Sequence, residues 1–284
     1  MATMKAKVPN YLNLKFLLLG FVLLFLLLLL LRPNSSSPAP PSTTESSQIS
    51  PSNVGTATSC TKLPQSLANT IIHYATSNTT PQQTFEEISV TARVLEKKAP
   101  CNLLVFGLGH DSAMWSALNH GGRTVFLEED ESWMEIVRQK SPMLESHHVT
   151  YDTKVTQADD LLELRRKPEC TAVGDMKFSK CHLALKRMPS VFFEVEWDLI
   201  MVDAPTGWIP EAPGRMGAIY TAGMAARARS EGETDVFVHD VDRVVEDKFS
   251  KTFLCEGYLK EQQGRLRHFI IPSHRTGSDM PFCP

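Results

Sequence analysis

The strongest pattern in the chain is an unbroken apolar run over residues 16–31, made almost entirely of Leu and Phe. At about 1.5 Å per residue, a helix of this length spans about 24 Å, which suits a thin bilayer. Three lysines precede the run, Arg32 follows it, and no small-residue cleavage site marks its end. We therefore predict a membrane anchor rather than a cleaved signal peptide, with residues 1–15 in the cytosol and the remainder in the lumen of the secretory pathway.

The segment after the apolar run is mostly polar. Residues 32–59 are rich in Ser, Thr and Pro and nearly free of large apolar side chains. Such a segment buries too little surface to offset the entropy lost on ordering, so it predicts a flexible stem. Apolar positions return at helical spacing near residues 67–75 and 81–95, so we predict one folded lumenal domain over residues 60–284.

After residue 100, short apolar runs alternate with helical segments. The runs predict strands over residues 102–106, 124–127, 148–151, 197–202 and 235–238, with helices over 112–118 and 132–140. Apolar runs without alternation are typical of parallel strands that are buried on both faces. The pattern therefore predicts an α/β fold with a doubly wound, mostly parallel sheet. A helix over 248–256 and an antiparallel pair over 258–262 and 267–271 complete it.

Charge and cysteine usage narrow the class of protein. The net charge is -3, so there is no basic surplus of the kind that binds nucleic acid. All six cysteines follow the apolar run, and none forms a C-x-x-C pair, so disulfides in an oxidising lumen are expected rather than zinc binding. Cys170 and Cys181 flank a short glycine-containing loop and are predicted to pair. The other four cysteines have three possible pairings or remain thiols.

The first strand is followed by a short glycine turn. Open parallel sheets bind ligands beyond the carboxyl ends of their strands, so this turn is a candidate cofactor loop. Gly107, Gly109 and His110 form it, but the third glycine of the dinucleotide fingerprint is missing. That absence counts against a nicotinamide-dependent oxidoreductase, which shares this kind of sheet.

Acidic residues end the second and third strands. Glu128 is the first candidate for accepting hydrogen bonds from a ribose, about twenty residues after the glycine turn. Glu129 is its competitor, since strand alternation directs only one of the two toward a cofactor. Asp152, at the end of the third predicted strand, is a further cofactor candidate. A solvated acidic helix start is the alternative interpretation of the Glu128 region.

Two further strand ends carry groups suited to metal binding or proton transfer. Asp203 follows the fourth strand, and His239 and Asp240 follow the fifth. Neighbouring strand ends meet at one edge of a sheet, so we predict a catalytic cluster of these three residues in which Asp203 and Asp240 hold a divalent cation. The alternatives are that Asp203 or His239 acts directly as a general base, or that Asp240 only caps a helix.

The loop between the fourth strand and the next helix supplies candidate acceptor contacts. Trp208 is suited to stacking on a sugar ring, and Arg215 and Arg243 to pairing with an acidic sugar. Arg265, with its neighbours 267 and 268, is a weaker candidate of the same kind. Any one of these residues alone is more often structural.

The same positions carry a resemblance to a known family. The shared motifs lie at Trp115 and at residues 79–85, 102–112, 118–124, 126–130, 151–155, 198–207, 211–216, 236–243 and 265–269. Together they resemble the plant glucuronoxylan 4-O-methyltransferase family, polysaccharide-biosynthesis methyltransferases with a DUF579-type domain. The resemblance covers roughly residues 60–284, which leaves only the tail, the anchor and the stem outside it.

This resemblance implies a fold, an activity and a compartment. The fold is that of class I S-adenosylmethionine-dependent methyltransferases, here on a single-pass type II Golgi membrane protein. The activity is methyl transfer from S-adenosylmethionine to O4 of glucuronic acid side chains of glucuronoxylan during secondary cell-wall biosynthesis, with a divalent metal. Related branches imply the alternatives: methylation of glucuronic acid on arabinogalactan, or a non-catalytic Golgi xylan-assembly factor.

Overall fold

The computed structural model describes residues 63–78, 80–276 and 280–284 of the chain. These residues lie in one compact unit, Thr61–Pro284. The predicted cytosolic tail, the membrane helix over 16–31 and the stem over 32–59 fall outside the described residues. Within the described ranges, no helix is both long and apolar enough to cross a bilayer.

Helices and strands alternate along the domain after two leading helices. The helices are α1 (Gln65–Thr76), α2 (Phe85–Lys98), α3 (Ser112–Leu118), α4 (Glu131–Lys140), α5 (Ala158–Leu162), α6 (Pro168–Thr171), α7 (Ser190–Glu194), α8 (Met216–Ala228) and α9 (Val244–Phe249). The strands are β1 (Asn102–Phe106), β2 (Arg123–Glu128), β3 (Glu145–His148), β4 (Leu199–Val202), β5 (Glu233–Val238), β6 (Leu259–Gln263) and β7 (Leu266–Pro272). A π-helical turn, Ser250–Cys255, extends α9.

The seven strands form one sheet in the order β3-β2-β1-β4-β5-β7-β6. Strands β1 to β5 are parallel, whereas β7 runs antiparallel to both β5 and β6. The predicted α/β, mostly parallel sheet with a terminal antiparallel pair is therefore confirmed. The order of the strands changes direction between β1 and β4. The carboxyl ends of these two strands therefore flank the crevice in which such sheets bind ligands.

The predicted third strand over residues 148–151 is wrong in position. Strand β3 is Glu145–His148, and its pairing with β2 ends where His148 lies opposite Glu128. Beyond one further hydrogen bond, from Val149 N to Glu128 O, the chain leaves the sheet and joins the loop before α8. Val149 is buried in the core cluster that includes α8, and Tyr151 packs against that cluster, which explains why their pattern suggested a strand.

Each parallel strand is buried on both faces of the sheet. In β1, Leu104 and Phe106 belong to a core cluster that includes α8, whereas Leu103 and Val105 belong to a second cluster that includes Trp115 of α3. Burying one such side chain contributes about 1.5–3 kcal/mol. The two cores fix the strands from both sides and so hold their carboxyl ends in a defined arrangement.

The cysteine pairing agrees with the prediction where one was made. Cys170 and Cys181 form a disulfide, as expected. A second disulfide joins Cys255 to Cys283. Among the described residues Cys101 is a buried free thiol. Cys60 lies outside the described ranges.

Candidate functional site

A cavity of about 380 Å³ opens at the carboxyl ends of β1, β2 and β4. Its wall combines the glycine turn after β1, the acid that ends β2, the residues that follow β4, and a segment that precedes α2. The lining residues are Thr80, Pro81, Gln82, Val105, Gly107, Leu108, Gly109, His110, Asp111, Trp115, Glu128, Trp133, Met201, Asp203 and Ala204. The cavity thus lies at the edge of the sheet where the sequence predicts ligand binding.

The glycine turn after β1 lies close to the loop after β4. Gly107 has a φ of +121°, a conformation that favours glycine, and a Cβ atom there would lie 3.1 Å from Cβ of Ala204. The turn is held from the other side by α4, because Trp133 Nε1 donates to Leu108 O at 2.5 Å. His110 packs edge-on against the Trp133 ring. The predicted residues Gly107, Gly109 and His110 therefore all line the cavity.

Glu128 and Glu129 point in different directions at the end of β2. Glu128 lines the cavity, and its carboxylate accepts hydrogen bonds from the backbone N–H groups of Leu108, Glu129 and Asp130. The Glu129 carboxylate instead accepts from Thr206 N at 2.9 Å. Strand alternation therefore brings only Glu128 to the predicted cofactor side.

Asp152 does not reach this cavity, contrary to the prediction. Its exposed carboxylate pairs with Arg187 at 2.6 Å and lines a separate, smaller pocket. The reason is the early end of β3: residue 152 follows a segment that has already left the sheet. A position near the end of a predicted strand is a strand-end position only if the strand continues that far.

Asp203 and His239 meet at the ends of β4 and β5. The Asp203 side chain is 18% exposed and lines the cavity, whereas His239 is fully buried. His239 Nδ1 lies 2.9 Å from Asp203 Oδ1. Burial alone would raise the pKa of Asp203, but the hydrogen bond to His239 and the charge of Arg215 outweigh it and hold this pKa below its ordinary value. Burial alone would lower the pKa of His239, but the same hydrogen bond raises it. The pair therefore favours a carboxylate beside a protonated imidazole.

Asp240 completes the predicted cluster. One donor atom from each of Asp203, His239 and Asp240 lies within 4.8 Å of the others. Asp240 Oδ2 contacts Arg215 and Arg243, each at 2.9 Å. Of the arginines that the structure describes, only Arg265 contacts Oδ1, at 2.7 Å, and this oxygen faces His239 Nδ1 at 3.6 Å. A carboxylate offers about four acceptor positions, so one position on Oδ1 stays available beside His239.

The environment of the second His239 nitrogen also fits a metal ligand. Among the described residues, Nε2 has no hydrogen-bond partner, and it lies 3.6 Å from Glu87 Oε2. A histidine that binds a metal through one ring nitrogen usually donates its other N–H to a carboxylate. The residues present therefore suit a divalent cation held by Asp203, His239 and Asp240.

The three predicted acceptor contacts differ in accessibility. Arg215 does not reach the surface: its side chain is 5% exposed and donates to the carbonyl oxygens of Pro205 and His239. These hydrogen bonds connect the loop after β4 to the end of β5. The predicted contact between Arg215 and an acceptor is therefore wrong, and the residue instead stabilises the arrangement of the site. Trp208 is 72% exposed, and the Arg243 side chain 31%.

Two site residues escaped the sequence analysis because they precede the sheet. Gln83 is buried and donates from Nε2 to Asp203 Oδ2 at 3.1 Å. Glu87 forms a capping box with Thr84 at the start of α2 and also accepts from Arg265 N at 2.6 Å. The capping-box pattern of Thr84 and Glu87 signals a helix start, but nothing local shows that this start lies against residues more than 100 positions later.

Comparison with known proteins supplies the family. A family model described as IRX15/IRX15L/GXM matches residues 86–269. Glucuronoxylan 4-O-methyltransferase 1 of Arabidopsis thaliana is 67% identical over 230 residues, which cover 79% of this chain and 82% of the relative. Arabinogalactan O-methyltransferase 2 of the same plant is 51% identical over 221 residues, covering 75% and 76% of the two chains.

Among solved structures, an O-methyltransferase from Bacillus cereus in complex with SAH aligns with a TM-score of 0.39 and 15% identity, covering 75% of this chain and 93% of that one. The family match includes both strand ends that carry Asp203 and the His239–Asp240 pair, as well as the glycine turn and Glu128. This chain belongs to the IRX15/IRX15L/GXM family.

Proposed function

We propose that this protein transfers the methyl group of S-adenosylmethionine to O4 of glucuronic acid side chains of glucuronoxylan. The observation that carries the proposal is a cavity lined by a glycine turn, Glu128 and Asp203 in a chain that is 67% identical to a glucuronoxylan 4-O-methyltransferase. The donor would occupy the side formed by Gly107, Gly109 and Glu128. The acceptor would approach from the side of Asp203.

The donor side suits a nucleoside that carries a positive charge. Glu128 supplies a carboxylate whose orientation is fixed by three backbone N–H groups, and such an acid at the end of β2 is placed to accept hydrogen bonds from ribose hydroxyls. A side chain at Gly107 would crowd Ala204. When bound, S-adenosylmethionine supplies an electrophilic methyl group on its sulfonium sulfur.

Asp203 is the residue best placed to act on the acceptor hydroxyl. It is the only member of the Asp203, His239 and Asp240 group that lines the cavity. Methyl transfer breaks the S–CH3 bond of the sulfonium, forms an O–CH3 bond, and leaves S-adenosylhomocysteine and the proton of the hydroxyl. An oxygen that orients the hydroxyl and takes up that proton raises the rate. His239, with Gln83 on the other carboxylate oxygen, fixes the Asp203 orientation.

A divalent cation held by Asp203, His239 and Asp240 would lower the pKa of the acceptor hydroxyl. It would take the place of the proton that Asp203 and His239 share. We expect chelation of the full-length chain to reduce transfer and added Mg²⁺ or Mn²⁺ to restore it. Unchanged rates after exhaustive chelation would leave Asp203 as a direct base.

The acceptor is assigned from the order of similarity. Identity falls from 67% for the glucuronoxylan enzyme to 51% for the arabinogalactan enzyme. It falls further, to 39%, for the protein IRREGULAR XYLEM 15 of the same plant. Trp208, an exposed ring in the loop after β4, would stack on a sugar of the acceptor.

The segment that precedes the domain supports a proposal for the compartment. The apolar run over residues 16–31 supports a single-pass type II anchor, with the catalytic domain in the Golgi lumen. The disulfides Cys170–Cys181 and Cys255–Cys283 suit an oxidising lumen. Protease protection of the domain in sealed Golgi vesicles tests this orientation.

The central test compares acceptors with one purified protein. The full-length chain is incubated with methyl-labelled S-adenosylmethionine and either unmethylated glucuronoxylan or arabinogalactan. We expect label on the glucuronic acid of xylan at a clearly higher rate. Preferential labelling of arabinogalactan would move the protein to the other branch. No labelling of either polymer, with no heat of binding for S-adenosylmethionine, would make it a non-catalytic assembly factor.

A further inference from the structure

Three guanidinium groups converge on the single carboxylate of Asp240. Arg215 and Arg243 contact Oδ2, and Arg265 contacts Oδ1, all at 2.7–2.9 Å. Asp240 is 3% exposed and has a φ of +61°, which turns the chain sharply after β5. One buried acid therefore anchors three arginines that come from three different parts of the chain.

The three arginines differ in the donors that remain to them. Arg215 is buried and engages carbonyl oxygens of the protein through Nε and Nη1. Arg265 is 38% exposed and uses one N–H for Asp240 and one for Gln82 O, at 2.9 Å, while its Nε lies 3.9 Å from Glu87 Oε1. Arg243 is 31% exposed, and in the described part of the chain the one carboxylate near it besides Asp240 is that of Glu246, at 4.0 Å. Arg243 and Arg265 thus present unused N–H groups toward solvent.

These two arginines contact the loop after β4 and the segment before α2. A Cβ atom at Gly207 would lie 3.7 Å from Arg243 Nη1, so the residue before Trp208 packs directly against this guanidinium. Arg265 donates to Gln82, which lines the cavity together with Asp203. Arg265 therefore lies next to a segment that lines the cavity, and Asp240 links it to Arg243, beside the loop that carries Trp208.

We propose that Arg243 and Arg265 bind the carboxylate of an acidic sugar and so make the protein selective for uronic acids over neutral hexoses. The proposal rests on the proposed function and deepens it, because it assigns the residues that recognise the acceptor. Guanidinium groups match carboxylates bidentately, and Asp240 holds both groups in place so that little side-chain entropy is lost on binding. Arg265 takes the place that the sequence analysis gave to Arg215.

The test uses two acceptors that differ only in the carboxyl group. One is a xylo-oligosaccharide that carries a single glucuronic acid, and the other is the same oligosaccharide after carboxyl reduction. Affinity is measured by calorimetry with the full-length chain in the presence of S-adenosylhomocysteine, which allows no turnover. The variants are Arg243→Gln, Arg243→Lys and Arg265→Gln, with Arg138→Gln as the control.

Wild type should bind the acidic oligosaccharide about tenfold to hundredfold more tightly than the reduced one. Arg243→Gln and Arg265→Gln should each lose most of that preference and raise KM for the acidic acceptor more than they lower kcat. Arg243→Lys, which keeps the charge but loses the planar fork, should fall in between. Arg138 is an exposed residue of α4 that pairs with Glu135, so its variant should match wild type.

Equal weakening of both oligosaccharides, or a preference that survives in both glutamine variants, would overturn the proposal. Should Arg265→Gln fail to fold, the two Arg243 variants decide the question, because Arg243 makes fewer contacts with the protein. The proposed function fails separately, through the absence of methyl transfer by wild type. The carboxylate preference in the binding measurement does not depend on that transfer.

Discussion

Two pairs of histidine and aspartate lie at opposite ends of strand β5. At its carboxyl end, His239 contacts Asp203 at 2.9 Å beside an open cavity. Toward its amino end, His268 contacts Asp235 at 2.6 Å, and both side chains are only 4% exposed. The chemical groups are the same, so what separates a candidate catalytic pair from a structural one is the end of the sheet at which it lies.

The surroundings of the two pairs explain this difference. Asp235 also contacts Lys98 at 2.5 Å, and the His268 ring stacks on Phe237, so the pair is closed off by α2 and the sheet. At the other end the strands stop, and the loops that follow them diverge around a cavity. A carboxylate there can meet a ligand, whereas Asp235 can meet only its neighbours.

The largest expected effect comes from the same substitution made in both pairs. Asp203→Asn keeps the shape but removes the charge needed for proton or cation binding, so transfer should fall by about 1000-fold with the fold intact. Asp235→Asn should cost about 1–3 kcal/mol of unfolding free energy while kcat per folded molecule stays near wild type. Initial rates and denaturant titrations of both variants measure this. Similar loss of kcat in both would remove the distinction between the two ends.

The next largest effect is expected at the end of β2, where two neighbouring carboxylates can be compared. Glu128→Gln keeps the side-chain size but loses the charge, so the affinity for S-adenosylmethionine should drop about tenfold to hundredfold. Glu129→Gln is the matched control, since that carboxylate faces Thr206 instead of the cavity. Calorimetric titration with S-adenosylmethionine distinguishes them. A greater loss for Glu129→Gln would exchange their assignments.

The residues at the carboxyl ends of the strands, where the cavity opens, were largely predictable from the sequence, because parallel strands place all their carboxyl ends at one edge of the sheet. Knowing that Asp203 follows a buried apolar run and that His239 follows the next was enough to expect them together. The prediction for Asp152 failed because Val149 and Tyr151, which precede it, pack into the core although strand β3 has already ended at His148. Burial alone does not identify a strand.

What escaped prediction depends on contacts between distant segments. The predicted helix over residues 81–95 begins in the structure at Phe85, so the preceding residues are free to line the cavity. Arg215 has the composition and spacing of a surface arginine, yet it is buried because three carboxylates lie within 4.0 Å of it. Such a charge balance exists only after β4, β5 and α9 have come together.

Of the two pairs, the Asp203–His239 pair alone receives a hydrogen bond from Gln83. Gln83 reaches Asp203 from outside the sheet, whereas Asp235 is held by α2 and β7. Gln83→Leu removes the donor to Asp203 Oδ2, so kcat should fall about tenfold while the affinity for S-adenosylmethionine changes little. Gln139→Leu, on the exposed face of α4, serves as the control for loss of an amide. A parallel loss of affinity and kcat would indicate a role in closing the cavity instead of orienting Asp203.

The smallest expected effect is the contribution of the Asp235–His268 pair to the stability of the fold in acid. Burial alone would raise the pKa of Asp235, but the hydrogen bonds from His268 and Lys98 outweigh it and hold that pKa below its ordinary value. A carboxyl whose pKa is lower in the folded state stabilises the fold above its unfolded pKa, about 3.9, and loses this contribution as pH falls through the folded value. Wild type should therefore lose stability over this acidic range more steeply than Asp235→Asn, which has no proton to gain at this position. Denaturant unfolding between pH 5 and about pH 2.5 measures how steeply the free energy of unfolding changes with pH in wild type and in Asp235→Asn. The variant Asp203→Asn is measured in the same way for comparison. Identical slopes for wild type and Asp235→Asn would mean that the closed pair does not contribute to acid stability, and the contrast between the two ends of β5 would then rest on catalysis alone.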